Sequence, residues 1–161
     1  MALVRVYPSA AGAAVLIPNE RQRHSGESDV AFLARIATHA ESADASLVNG
    51  QDVDASTLPT DRDFRKAWKL SGAQCVVDMP IAREVHRDKL RAARAPKLAE
   101  LDALYLRELE RGPQGKPQDI ATQKQALRDL PQNQQIDAAT SPAALRALWP
   151  TSLLGATPYR G

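Results

Sequence analysis

Aromatic residues are scarce in this chain: Phe, Tyr and Trp together supply 4% of its 161 positions. A core built from such a composition rests on aliphatic and small side chains, which favours packed helices. Cysteine is nearly absent. Cys75 is the single copy, so an internal disulfide is excluded, and its neighbours Val76 and Val77 mark it as a buried, inert thiol. No apolar run approaches the roughly 20 residues of a membrane-spanning helix. The opening Met1-Ala2-Leu3-Val4-Arg5 lacks the basic-then-apolar order of a signal peptide, and the expected product is soluble and cytosolic, with no membrane partner. A strong charge of one sign is missing too. A net charge of +2 calls for neither nucleic acid nor a membrane surface. The length suffices to bury one core, or two small ones, without staples.

Local charge is uneven. Arg83, Arg87, Lys89, Arg91, Arg94 and Lys97 outnumber Glu84 and Asp88, and the next stretch reverses sign with Glu100, Asp102, Glu108 and Glu110. The first 60 residues also lean acidic. Such polarity steers association and says little about fold.

Two short β-rich runs, residues 3–7 and 13–17, flank a Pro8-to-Gly12 turn and predict a hairpin. Ser28 precedes Leu33, Ile36, Ala37 and Ala40, one face of a helix over 28–40 that either Ser28 or Ser25 is placed to cap. Residues 41–60 read as an ordered loop in which Val53 marks a brief strand. Thr60 is positioned to cap a short helix carrying Phe64, Ala67 and Trp68, and Gln74–Val77 predicts a strand paired with the N-terminal hairpin. Asp78 caps a long helix over about 80–111, with Pro80 in its first turn and a kink at Pro96. Gly112 to Pro117 stops it, and a helix from Gln118 to Leu130 returns alongside, with Ile120, Leu127 and Leu130 inward. Ser141-Pro142 opens a last short helix carrying Leu145, Leu148 and Trp149, and Pro150 ends it. The fold class is α+β: a small N-terminal antiparallel β element with a helix, then a C-terminal α-helical hairpin with a long kinked helix. The expected parts are residues 1–79, 80–150 and a tail, 151–161, without periodicity.

The chain offers little for chemistry. His24, His39 and His86 have no partner at metal-ligand spacing, so no metal site is expected. His86 is expected on the solvated side of the long helix. Gly112-Pro113-Gln114-Gly115-Lys116 has the wrong spacing for a phosphate loop, no strand before it, and Pro117 where a hydroxyl would hold magnesium. No serine sits in a Gly-x-Ser-x-Gly elbow. The pairs Asp52/Asp54 and Asp61/Asp63 read as caps and solvating groups. No catalytic residue and no cofactor are expected, and the chain reads as a non-enzyme.

The basic stripe is the candidate partner-binding surface. Arg83, Arg87, Arg91 and Arg94 recur at helical-turn spacing, with Lys97 beyond them. The stripe fits a solvated or internally paired face, docking on an acidic protein surface, or nucleic acid. Glu84, Asp88 and the lack of interleaved aromatics count against nucleic acid. Trp149 is the second candidate contact, because little chain follows to cover it. Phe64 and Trp68 read as a structural junction, core anchors joining the β part to the helical part, with an exposed hot spot as the alternative.

One set of motifs carries a family likeness. Asp61-Arg62-x-Phe64-Arg65-x-Ala67-Trp68 is followed by Asp78-Met79-Pro80-x-Ala82 and His86-Arg87-Asp88. Arg91-x-x-Arg94, Leu98-x-x-Leu101-Asp102, Lys124-x-x-Leu127-Arg128-Asp129 and Ala143-Ala144-Leu145-Arg146-Ala147-Leu148-Trp149-Pro150 continue it. With Val4-Arg5-Val6-Tyr7-Pro8 and Val15-Leu16-Ile17-Pro18 at the start, the set resembles small tailed-bacteriophage proteins of the tail module across most of residues 3–150. The resemblance implies a tail-associated structural protein that links or anchors a tail-fibre or tip protein. The end Leu127-Arg128-Asp129-Leu130-Pro131-Gln132 also resembles tail and tail-fibre assembly chaperones, which commonly lack an N-terminal β part. The implied partners are phage tail or tail-fibre proteins, or further copies of the chain. The implied location is the host cytoplasm during assembly, then the virion tail for the structural role.

Overall fold

Leu3–Ser9 alternates valines with polar residues and forms strand β1, the centre of a three-stranded antiparallel sheet. Strand β2 (Gly12–Leu16) pairs with it in the register Val6↔Val15, and β3 (Gln51–Asp54) pairs on the other side with Val4↔Val53. The computed structural model describes residues 2–9 and 12–160, so the tip of the expected Pro8-to-Gly12 turn lies outside the described residues at 10 and 11. Pro8 is tolerated in a central strand because β3 pairs only with Leu3 to Val6. Strand parity sorts the side chains. Val4, Val6 and Val53 are buried on one face, packed with Trp68 and Cys75. Tyr7 turns to the other face, where its hydroxyl donates to Glu41 Oε1 at 2.9 Å. Arg5 grips Asp52 through Nε at 2.6 Å and Nη2 at 3.1 Å, and reaches Glu41 at 3.3 Å.

Glu41 belongs to helix α1 (Asp29–Ala43), which Ser28 caps by accepting the Ala31 N–H at 3.3 Å. Phe32, Leu33 and Ala37 are its buried residues; of the expected face Leu33 and Ala37 are buried, Ile36 and Ala40 are half-buried, and Phe32 lies beside it. A short 3-10 turn, Arg62–Ala67, then buries Phe64 and Ala67. Its cap is Asp61, which accepts the Asp63 N–H at 3.1 Å, and not Thr60. Strand β2 runs so close to this turn that a Cβ on Gly12 would sit 2.5 Å from Lys66 O, and Gly12 also has φ +116. Only glycine meets both demands.

Trp68 opens strand β4 (Trp68–Ser71), which a turn through Gly72 (φ +59) joins to β5 (Gln74–Val77). The expected pairing of Gln74–Val77 with the N-terminal hairpin is therefore corrected. The left-handed Gly72 closes a local hairpin, and the two strands form a sheet of their own. These elements make one unit of the chain, Met1–Ala82; the second is Arg83–Gly161.

Helix α2 (Met79–Glu110) starts in the first unit, where Asp78 accepts the Ile81 N–H at 3.4 Å, and runs for 32 residues with Pro96 inside it. In the second unit α3 (Pro117–Asp129) returns along it. The chain then makes a 3-10 turn at Leu130–Gln132 and three short helices: α4 (Gln134–Ala138), α5 (Pro142–Ala147) and α6 (Thr151–Leu154). Asn133 caps α4, which has too few apolar residues to show periodicity, and Ser141 caps α5. Leu90, Leu127, Ile136, Leu145, Trp149, Leu154 and Tyr159 are buried. The architecture is α+β, with a small N-terminal antiparallel sheet and a mostly helical remainder.

Candidate functional site

The arginine stripe faces inward along most of its length. Arg83 donates to the carbonyl of Ala139 through Nε at 3.3 Å and Nη2 at 3.0 Å. Arg87 donates to Pro131 O at 3.1 Å and pairs with Asp137 and Glu84, both at 2.6 Å. Arg94 reaches Leu127 O at 3.2 Å and Arg128 O at 2.6 Å. Each accepting carbonyl lies where a helix or turn ends, the place where backbone acceptors lack an intrahelical partner. The guanidinium forks act as C-caps supplied by another helix, and their cations also meet the negative ends of helix dipoles. Of the candidate partner-binding arginines, Arg83, Arg87 and Arg94 are thus held by the fold. Arg91 stays outward, with 47% of its side chain exposed, and pairs with Asp88 at 2.7 Å.

Trp149 is also turned inward, against its reading as a partner contact. It is 7% exposed, and its indole Nε1–H donates to Gly155 O at 3.2 Å. The tail covers it. The φ of +83 at Gly155 ends α6 and redirects the chain, and Tyr159 then packs edge-on against Trp149 with ring centroids 6.0 Å apart. The tail, aperiodic in sequence, thus forms α6 and is tied to the second unit by these contacts. Its anchor, Tyr159, stands in a stretch whose sequence gives no periodic signal.

Tyr159 rests on His86. The two rings are parallel within 2°, and His86 Nδ1 lies 2.5 Å from the tyrosine hydroxyl. His86 is fully buried, so its placement on a solvated face is corrected as well. A signal exists in the sequence: His86 falls one helical turn from both Ala82 and Leu90, which are also buried. Burial first, and then Arg87 and Lys89, push its pKa down from 6.5 to about 4. The charged ring carries an N–H on both nitrogens, and Nε2 has no hydrogen-bond partner among the described residues. The groups around the ring are Tyr159 and Arg87, with Lys89 and Arg146 over the tyrosine face.

The folded state favours neutral His86, so its contribution to stability is whole above pH 6.5 and is lost as pH falls through about 4. The urea midpoint of the second unit, followed by Trp149 fluorescence in a Trp68→Phe background, should fall across this window. His86→Gln should flatten that fall. An unchanged slope in the variant would show that His86 does not titrate there.

Phe64 and Trp68 both lie in the first unit. Phe64 is fully buried, and Trp68 is 3% exposed with Nε1–H donating to Asp61 O at 3.3 Å. They are core anchors. Beside Trp68 an open cleft of about 280 Å³ is lined by Ile17, Leu58, Thr60, Arg62, Arg65 and neighbouring residues. In the second unit, the distal half of α2 exposes Leu104, Leu106 and Leu109 by 42%, 60% and 49%. Among the described residues no group of His, Cys, Asp and Glu is arranged to hold a metal ion, and no helix is long and apolar enough to cross a membrane. No family model matches the chain, and neither a curated protein nor a solved structure matches it.

Proposed function

We propose that this chain is a non-enzymatic, tail-associated protein of a bacteriophage that links or anchors a tail-fibre or tip protein to the tail. The motif set spread over residues 3–150 carries the reading. The exposed aliphatic residues of distal α2 support a protein partner, since Leu104, Leu106 and Leu109 are apolar area left open to water within a short stretch. Assembly takes place in the host cytoplasm, and the tail retains the protein.

A second reading, a transient tail-fibre or tail assembly chaperone absent from the finished particle, is favoured by the Leu127-to-Gln132 segment. Mass spectrometry of purified virions separates the two. Stoichiometric peptides from this chain support the structural role. Their absence, with co-purification of a fibre or tail protein from infected cells, supports the chaperone. Absence from both fractions ends both readings.

A further inference from the structure

The lining of the cleft beside Trp68 combines two chemistries. Val15, Ile17, Leu58 and Trp68 supply its apolar part. Ile17 leaves 57% of its surface in water there, an uncovered β-branched side chain next to an edge strand. Trp68, 3% exposed, is held in place by its bond to Asp61 O, so the part of it that lines the cleft is preformed. Strand β2 is bonded to β1 on one side only, and its end carries Val15 into the cleft wall. The volume of about 280 Å³ fits one or two side chains.

The rest of the lining includes two cations. Arg62 and Arg65 stand three residues apart on the 3-10 turn, and both line the cleft. In the first unit Arg5, Arg23 and Arg35 each grip a carboxylate. Among the described residues neither Arg62 nor Arg65 is bonded to one. Arg65 instead lies with its guanidinium carbon 5.9 Å from the Trp68 ring centre. Two planar forks without carboxylate partners, sharing a lining with apolar side chains, complement a ligand that carries carboxylates beside an aliphatic group.

We propose that this cleft is a docking site for an acidic, extended segment of a partner protein, with an aliphatic side chain seated on Trp68, Ile17 and Leu58 and flanking carboxylates on Arg62 and Arg65. The inference rests on reading the chain as a docking protein, but it does not depend on the phage assignment, which the virion measurement tests separately. A partner of this kind binds as peptide and not as diffuse charge, because apolar and cationic side chains line the same cleft.

The test uses the full chain and a fluorescein-labelled short peptide of alternating glutamate and leucine, read by anisotropy. The expected result is saturable binding that weakens about tenfold or more with Arg62→Glu plus Arg65→Glu, and with Ile17→Asp. Glutamine in place of glutamate should weaken it similarly. All three altered side chains are exposed, and far-UV circular dichroism should confirm that each variant stays folded. Failure of the glutamate peptide to bind, or equal binding by the arginine variant, would overturn the proposal. So would equal binding of the glutamine peptide. Competition by a single-stranded oligonucleotide as strong as that by unlabelled peptide would make the cleft a general anion site and overturn the peptide assignment.

Discussion

Trp149→Ala should lower the stability of the second unit by about 3–5 kcal/mol, the usual cost of removing a large aromatic from a core. The side chain is 7% exposed and packs edge-on against both His86 and Tyr159, with ring centroids 6.4 Å and 6.0 Å away. Its indole also fixes Gly155, so truncation releases the tail that holds Tyr159 over His86. The loss has three parts: apolar burial, a hydrogen bond to a backbone carbonyl, and the docking of residues 155–160. Urea unfolding followed by far-UV circular dichroism reads the effect. Trp68, the remaining tryptophan, reports the first unit independently. Trp149→Phe keeps the ring contacts and loses the hydrogen bond, so it should cost much less. If Trp149 served a partner instead, both variants would leave the unfolding midpoint in place.

Trp149 and its surroundings mark the boundary between what is local in the sequence and what is not. Caps and stops are local and legible: Ser28 before α1, Asp78 before α2, the Gly112-to-Pro117 stop, and Ser141 before α5 all mark the helices they should. They are legible because a cap is a bond between residues two or three apart. Trp68 is harder. Its spacing from Phe64 suits a helix, yet it begins a strand, because a run this short has no period to settle its state and Gly72 lets it pair with β5. The arginine stripe is visible as a stripe, but its direction is not. The carbonyls it binds are 33, 44 and 56 residues away in sequence, on helix ends whose positions depend on the return of the whole chain. Tyr159 shares that difficulty, since nothing within the tail marks it as an anchor. The cleft beside Trp68 joins residues 15–17 to 55–68, a juxtaposition that depends on strand register and on Gly12 lying against Lys66.

Arg87→Glu should destabilise the second unit by about 2–4 kcal/mol, while Arg91→Glu, four residues on, should change it by less than about 1 kcal/mol. The contrast separates a structural stripe from a docking stripe. Arg87 keeps only 15% of its side chain exposed and serves three acceptors at once: Pro131 O, Asp137 and Glu84. Reversal removes the bonds and adds a carboxylate beside Asp137 and Glu84, so repulsion replaces attraction. It also leaves the Pro131 carbonyl without its arginine. The two acidic partners are more than half exposed, at 64% and 56%, and water re-solvates them, which keeps the loss below that of a buried pair. Arg87→Lys should recover only part, since an ammonium cannot hold a carbonyl and two carboxylates in one plane. Arg91 has 47% of its side chain in water, and its partners Asp88 and Glu84 are exposed as well. Chemical denaturation of the two single variants decides the matter. Equal, small effects would return the stripe to the surface and to a partner. The unequal effects expected here would leave Arg91 as the stripe's outward charge and place the search for a partner on the Arg62–Arg65 cleft and distal α2.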